Sequence, residues 1–223
     1  MDDFSLKGEE LREALDKIAD INKLLGGNKL TLQGVKELLK KQPKGKIITI
    51  ADVGCGNGDM LRMLSEYGSR HNMTLKLIGI DANAFTINHA EKLSIKYPNI
   101  EYLCMDIFNE GFKNLEYDIV LCTLTLHHFK DEEILKIVDI FYHNSSIGVV
   151  INDLQRSKAA YRLFQVVCRI FRLNRMSRED GLVSILRGFK KSELKYFAKK
   201  LNLEKYTIRW KWAFRYQWII HKI

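Results

Sequence analysis

From about residue 9 to residue 40, apolar positions recur at helical spacing. Leu11, Leu15, Ile18, Ile21 and Leu25 share a face, "GGN" interrupts them, and "TLQGVKELLKK" resumes the pattern before Pro43. From Ile47 the period changes: the short apolar runs "KIITIADVG", "LKLIGID", "IEYLCMD", "YDIVLCTL" and "IGVVINDL" alternate with helical stretches. Runs of this kind suit strands covered by helices on both faces. Five βα units in succession predict a doubly wound, mostly parallel α/β sheet with right-handed crossovers.

After the fifth run the alternation breaks. "SKAAYRLFQVVCRIFRLNR" puts Ala160, Leu163, Phe164, Val167 and Phe171 on one helical stripe and Arg162, Arg169 and Arg172 mostly on the other. The segment reads either as a core-packed helix with a wet basic face, or as a lid that lies against lipid or closes a homodimer. "KKSELKYFAKKLNL" is a further helix with Ser192 as its N-cap, and "KYTIRWKWAFRYQWIIHKI" carries two strand-like runs that form a hairpin on one edge of the sheet. The expected whole is a Rossmann-like, seven-stranded sheet with a C-terminal antiparallel hairpin. An N-terminal helical cap over 1–45 precedes the main domain at 46–223, which carries a helical lid insertion at about 155–190. A chain of 223 residues holds this as one structural domain.

Charge and cysteine usage narrow the setting. The formal net charge of +9 is uneven: from Gln155 onward there are 18 basic and 4 acidic residues, so the basic face belongs to the last third. That face either solubilises the protein or meets an anionic substrate, nucleic acid or lipid headgroups. Cys55, Cys104, Cys122 and Cys168 form no CxxC pair, which argues against a disulfide framework and a zinc site, and no metal is expected. The acidic, helical N-terminal stretch does not have the pattern of a signal peptide, and no apolar run approaches the roughly 20 residues that span a bilayer. A reduced, cytoplasmic location is expected.

The chemistry centres on "DVGCGNGD", residues 52 to 59, where a strand runs into a turn with three glycines and then a helix. Such a turn is the usual seat of a nucleotide-like ligand, in the crevice beyond the strands' carboxyl ends. A dinucleotide fingerprint needs a third glycine where this chain has Asp59, and an acid there repels a pyrophosphate. The spacing Asp52-x-Gly54-x-Gly56-x-Gly58 instead resembles the first motif of the class I S-adenosylmethionine-dependent methyltransferases, whose cofactor carries no phosphate. "GID" ends the second strand and "CMDIF" follows the third, in the order that family shows.

The resemblance implies roles residue by residue. Asp52, Gly54, Cys55, Gly56 and Gly58 would cradle the cofactor, with the Cys55 thiol itself a packing group. Asp81, beside Ala82, would bind both ribose hydroxyls, since a carboxylate accepts two hydrogen bonds at once. Asp106 and Ile107 would hold adenine, and Leu124 completes the set. "YDIVLCTLTLHHF", "INDLQRSKAAYRLF" and "SREDGLVSILRGFKKSEL" resemble a bacterial subfamily acting on small phenolic, quinone-like or polyketide molecules.

Acceptor chemistry is expected on the loops after strands four and five. Methyl transfer needs a nucleophile aligned at about 3 to 3.5 Å and a base if a proton must leave. His127 and His128 are candidate bases, and neighbours on a loop do not usually face the same site. Asp153 would orient a histidine or the substrate, or cap the following helix. Asn152 and Asp153 are placed at the rim of the site, with Arg156 close behind. Arg178 and Arg187, read as lying between two helical stretches, would clamp a carboxylate or phenolate, or make surface ion pairs with Glu179 or Asp180. The main rival activity is methylation of RNA through the basic third. It is disfavoured because "TLTLHHF" lacks the proline-containing motif of amino-methylating enzymes. A non-catalytic cofactor-binding subunit is the third reading.

Overall fold

The computed structural model describes residues 6–43, 45–171 and 173–222. Arg172, assigned above to a basic face, lies outside them. In chain order the elements are α1 (Glu9–Leu24), α2 (Gly27–Leu39), β1 (Ile48–Val53), α3 (Asp59–Arg70), β2 (Leu75–Asp81), α4 (Ala84–Leu93) and β3 (Ile100–Cys104). Then follow α5 (Glu110–Lys113), β4 (Tyr117–Thr123), a 3-10 turn (Leu126–His128), α6 (Asp131–Asn144) and β5 (Ser145–Leu154). The chain closes with α7 (Lys158–Ile170), α8 (Arg175–Arg187), α9 (Lys191–Lys200), β6 (Tyr206–Lys211) and β7 (Arg215–His221).

One seven-stranded sheet has the order β3-β2-β1-β4-β5-β7-β6. β1 to β5 pair in parallel, while β7 runs antiparallel to both β5 and β6. The predicted hairpin is present, with its second strand inserted against β5 and its first strand at the edge. Because side chains alternate along a strand, each central strand feeds two cores. Ile50, Ile119, Leu121, Val150 and Ile219 face α2 and α3 with Val35, Leu38, Leu61 and Leu64. Ala51, Val120, Cys122, Val149, Ile151 and Trp218 face α6 and α9 with Ile137, Phe141 and Phe197. The near-continuous apolarity of these runs is thereby explained.

Four expectations about the helices need correction. Arg178, Asp180 and Arg187 do not lie between helices; they are on α8, which begins after Asn174, whose side chain accepts from Ser177 N. Ser192 is not the cap of α9: the helix starts two residues earlier than that cap would place it, at Lys191, and Glu193 reaches back 2.8 Å to the N–H of Lys190, the N-cap, leaving Ser192 in the first turn. Asp153 caps no helix, since β5 runs through it and Ser157 caps α7.

The fourth correction concerns α7. Ala160 and Cys168 are its buried residues, and Phe164 packs where any side chain on Gly181 of α8 would intrude. Leu163 and Phe171 are instead exposed, together with Val166 and Ile170. The helix therefore has two apolar stripes, of which the fold uses one.

Candidate functional site

At the carboxyl ends of β1, β2 and β4 a cavity of about 480 Å³ opens. The expected Asp52, Gly54, Cys55, Gly56, Asp81, Ala82, Asp106, Ile107 and Leu124 all line it, as does His128. Gly58, His127, Asn152, Asp153, Arg156, Arg178 and Arg187 do not.

The turn after β1 is held from both sides. Gly54 N and Cys55 N both donate to Ile80 O, at 2.8 and 3.1 Å, which ties the turn to β2. At Gly54, with φ +72°, a Cβ would sit 2.9 Å from the Thr125 Cβ, so glycine there lets the β4 loop close against the turn. Gly56 has φ +53° and its missing Cβ would meet only Leu15 Cδ2 at 4.0 Å, so that residue borders open space. Gly58 starts α3, and a Cβ on it would fall onto the Tyr102 ring; its role is packing.

Acid groups surround the turn. Asp81 accepts from Asn83 N at 3.0 Å and Gly56 N at 3.3 Å, which aims the carboxylate across the cavity. Burial raises its pKa, and those two hydrogen bonds oppose the rise. Asp59 accepts from Asn28 Nδ2 at 2.6 Å and is likewise raised, first by burial. Asp52 is pushed well up, first by burial and then by the charges of Asp59 and Asp81, and its Oδ1 has no hydrogen-bond partner among the described residues. A buried Asp52 with a free oxygen, raised further by the charges of Asp59 and Asp81, suits a cationic ligand.

The third strand contributes Asp106, whose Oδ1 accepts from Phe108 N at 2.9 Å, and the buried Ile107. Phe108 and Phe129 meet edge to face with centroids 5.9 Å apart, and both line the cavity. Leu124, on the same wall, adopts φ +55°, a costly conformation for a side-chain-bearing residue and one that concentrates at functional sites.

The two histidines part ways. His128 faces the cavity, whereas His127 turns inward, its ring 4.2 Å from that of His128. His127 Nδ1 lies 2.6 Å from Asp153 Oδ1, and its backbone N–H donates to the other carboxylate oxygen at 3.2 Å. Burial would raise the Asp153 carboxyl, but the charge and hydrogen bond of His127 outweigh it and hold the pKa low. Asp153 thus orients a histidine, one of the two roles expected of it. Arg215, at the start of β7, is buried close by. Desolvation brings its guanidinium down to about 10, opposed by the Asp153 charge.

Neither Asn152 nor Asp153 is at the rim: both are buried and off the cavity wall, Asn152 donating to Gly27 O and to Thr31 Oγ1, both at 3.0 Å, and so pinning α2 onto β5. Arg156 is engaged by Glu193 of α9.

Sequence reasoning missed one wall altogether. Leu11, Leu15, Ile18, Ala19 and Asn22 of α1 line the cavity, and Asn28 of α2 joins them. Asp16 fastens α1 there, accepting from Asn57 Nδ2 at 3.0 Å and facing His89 Nε2 at 2.8 Å. The signal was the stripe Leu11-Leu15-Ile18, which looks like any core-facing helix until its partner is seen to be a cavity. Thr125, Phe108 and Phe129 were also missed, although they adjoin residues that were not.

The chain has the Rossmann-like fold seen in methyltransferases, with a seven-stranded sheet ending in an antiparallel hairpin. Residues 50–145 match the family described as a methyltransferase domain. Over 141 residues, 62% of this chain and 58% of the relative, it is 26% identical to the ubiquinone/menaquinone biosynthesis C-methyltransferase of Campylobacter jejuni subsp. jejuni serotype O:6. A protein of Invertebrate iridescent virus 6 that also bears a methyltransferase name is 36% identical over 73 residues, 33% of this chain and 24% of that protein. The chain thus spans less than two thirds of either curated relative. Among solved structures, the plantazolicin methyltransferase BamL, in complex with a triazolic desmethylPZN analog and SAH, superposes with a TM-score of 0.71 at 16% identity, covering 93% of this chain and 89% of that one. Magnesium protoporphyrin IX methyltransferase from Synechocystis PCC 6803 with bound SAH gives a TM-score of 0.59 at 14% identity, over 91% and 87%. No helix among the described residues is long and apolar enough to cross a membrane.

Proposed function

We propose that this protein binds S-adenosylmethionine in the cavity and transfers its methyl group to an oxygen of a small phenolic, quinone-like or polyketide acceptor. The observation that carries the reading is the conjunction of a cavity-facing Gly56, a pre-aimed Asp81 and an acidic surround in one cavity. The cofactor supplies an electrophilic methyl on a sulfonium, and its methionine end carries an ammonium that suits Asp52 and Asp59.

The chain's own groups do the rest. Asp81 receives the ribose hydroxyls, and Asp106 with Ile107 and the Phe108–Phe129 pair holds the ring system. His128, the histidine on the cavity wall, would take the proton that leaves the acceptor hydroxyl on methylation. His127, fixed by Asp153, backs the His128 ring and keeps the loop in place. The relatives act on chemically different acceptors, so the acceptor class rests on the histidine and on the resemblance of the later segments.

Calorimetric titration with S-adenosylmethionine and S-adenosylhomocysteine tests the cofactor. Micromolar binding that is lost in Asp81→Ala is expected, and a folded wild type that binds neither compound would overturn the proposal. Phenols, quinols and polyketide acids are then screened, with His128→Ala expected to lose turnover while retaining cofactor binding.

A further inference from the structure

The apolar stripe of α7 that the fold leaves outside has a definite geometry. Ala159, Leu163, Val166 and Ile170 stand at spacings of four, three and four residues, which places them on one face of the helix. All four are exposed, Ile170 at 69% and Leu163 at 50%. Along one edge of that stripe run Lys158, Arg162 and Arg169, none of which has an ion-pair partner among the described residues. Val183 and Leu186 of α8 add further exposed apolar groups to the same helical pair.

A second feature stands at the root of α7. The β6–β7 turn carries Trp212, 70% exposed, between Lys211 and Ala213. It is tied to the start of the insertion: Trp210 Nε1 donates to Gln155 Oε1 at 2.8 Å, and Gln155 N donates to Phe214 O at 2.8 Å. An exposed tryptophan beside lysine and an apolar stripe edged with cations are each features that settle at a lipid–water boundary.

We infer that α7 and the Trp212 turn form a docking surface for an anionic lipid bilayer, with the stripe of Leu163, Val166 and Ile170 lying in the headgroup boundary. Charge complementarity selects this occupant, because the chain from Gln155 onward holds 18 basic and 4 acidic residues. The fold gives the surface a use. α7 packs on α8, which packs in turn on α1 and on the 3-10 turn bearing His127 and His128. The docked helix is therefore linked through α8 to two elements that wall the candidate site, and an apolar acceptor dissolved in the bilayer would reach the cavity from that side. This last step rests on the proposed methyl transfer; the docking itself does not.

Co-sedimentation with vesicles tests the inference. The full chain is mixed with vesicles of phosphatidylcholine alone or of phosphatidylcholine with phosphatidylglycerol, at low and high salt. Binding is expected to the anionic vesicles and not to the neutral ones, and to weaken with salt. Arg162→Glu/Arg169→Glu is expected to weaken it by well over tenfold, since each cation near an anionic surface is worth roughly fivefold. Leu163→Gln/Ile170→Gln should weaken it at least tenfold while thermal stability and S-adenosylhomocysteine binding stay at wild-type values, because both side chains are exposed. Equal sedimentation of wild type and the Gln variant would overturn the inference. So would a wild-type dimer in sedimentation equilibrium that the Gln variant loses, since a second copy would then cover the stripe. Neither outcome touches the cofactor titration, so failure here is separable from failure of the proposed activity.

Discussion

Gly54 and Gly56 are two residues apart in one turn, yet alanine at each should fail for a different reason. At Gly56 the added methyl meets nothing nearer than Leu15 Cδ2 at 4.0 Å, so no protein contact is strained. The folding cost is the positive φ of +53°, about 1–2 kcal/mol for an L-residue, offset by about 0.4–1 kcal/mol of lost unfolded-state entropy. A net loss near 1 kcal/mol corresponds to a fall in Tm of about 2–4 °C for a domain of this size. The methyl projects toward the cavity, however, where a bound cofactor would lie against the backbone. Overpacking of a tight contact costs about 1–3 kcal/mol, or roughly five- to 150-fold in Kd. Calorimetric titration with S-adenosylhomocysteine, beside thermal unfolding with and without it, separates the two effects. Gly56→Ala should keep its fold and lose the protection that ligand gives the wild type. A wild-type Kd in a well-folded Gly56→Ala would refute the reasoning, because the glycine would then serve the turn alone. Gly54→Ala, whose Cβ would sit 2.9 Å from that of Thr125, should instead lose stability first, and Thr125→Gly should restore part of it.

Three other predictions concern charge. Asp52, Asp59 and Asp81 have folded pKa values raised, chiefly by burial, so ligand-free stability should decline as pH rises from about 3.9 through those folded values. A cationic ligand reverses the shift, so cofactor binding should release protons, seen as a dependence of calorimetric heat on buffer ionisation enthalpy that diminishes in Asp52→Asn; heats independent of buffer would contradict it. Asp153 is the opposite case: burial would raise it, but His127 holds it low, so its contribution is full above about 3.9 and is lost as pH falls through the folded value. Asp153→Asn breaks a buried pair and should cost about 3–5 kcal/mol in urea unfolding at neutral pH, and a loss under about 1 kcal/mol would argue against the pair. Asp16→Ala releases α1 from Asn57 and His89, and stopped-flow should show cofactor dissociating roughly tenfold faster, given about 1–2 kcal/mol for partly exposed charge-assisted bonds. An unchanged rate would mean that α1 does not help hold the cofactor in the cavity.

The alternation of apolar runs with helical stretches was enough to determine five parallel strands, because a strand buried on both faces must be apolar throughout. The glycine turn, Asp81 and Asp106 were legible for a related reason: each follows directly from the end of its strand, and the doubly wound topology brings all carboxyl ends to one side. What lay beyond local spacing needed the tertiary structure. A stripe such as Leu11-Leu15-Ile18 says that a face is covered but not by what, and only the packing of α1 across the sheet end made that cover a cavity wall. Asn152 and Asp153 are adjacent on β5, and alternation sends one under α2 and the other to His127, a division set by which helix lies on which face. Arg215 reads as one more cation of a basic tail until β7 inserts beside β5 and buries it near Asp153. α7 shows the same limit, since its two apolar stripes look alike in sequence and only the position of α8 decides which of them is core.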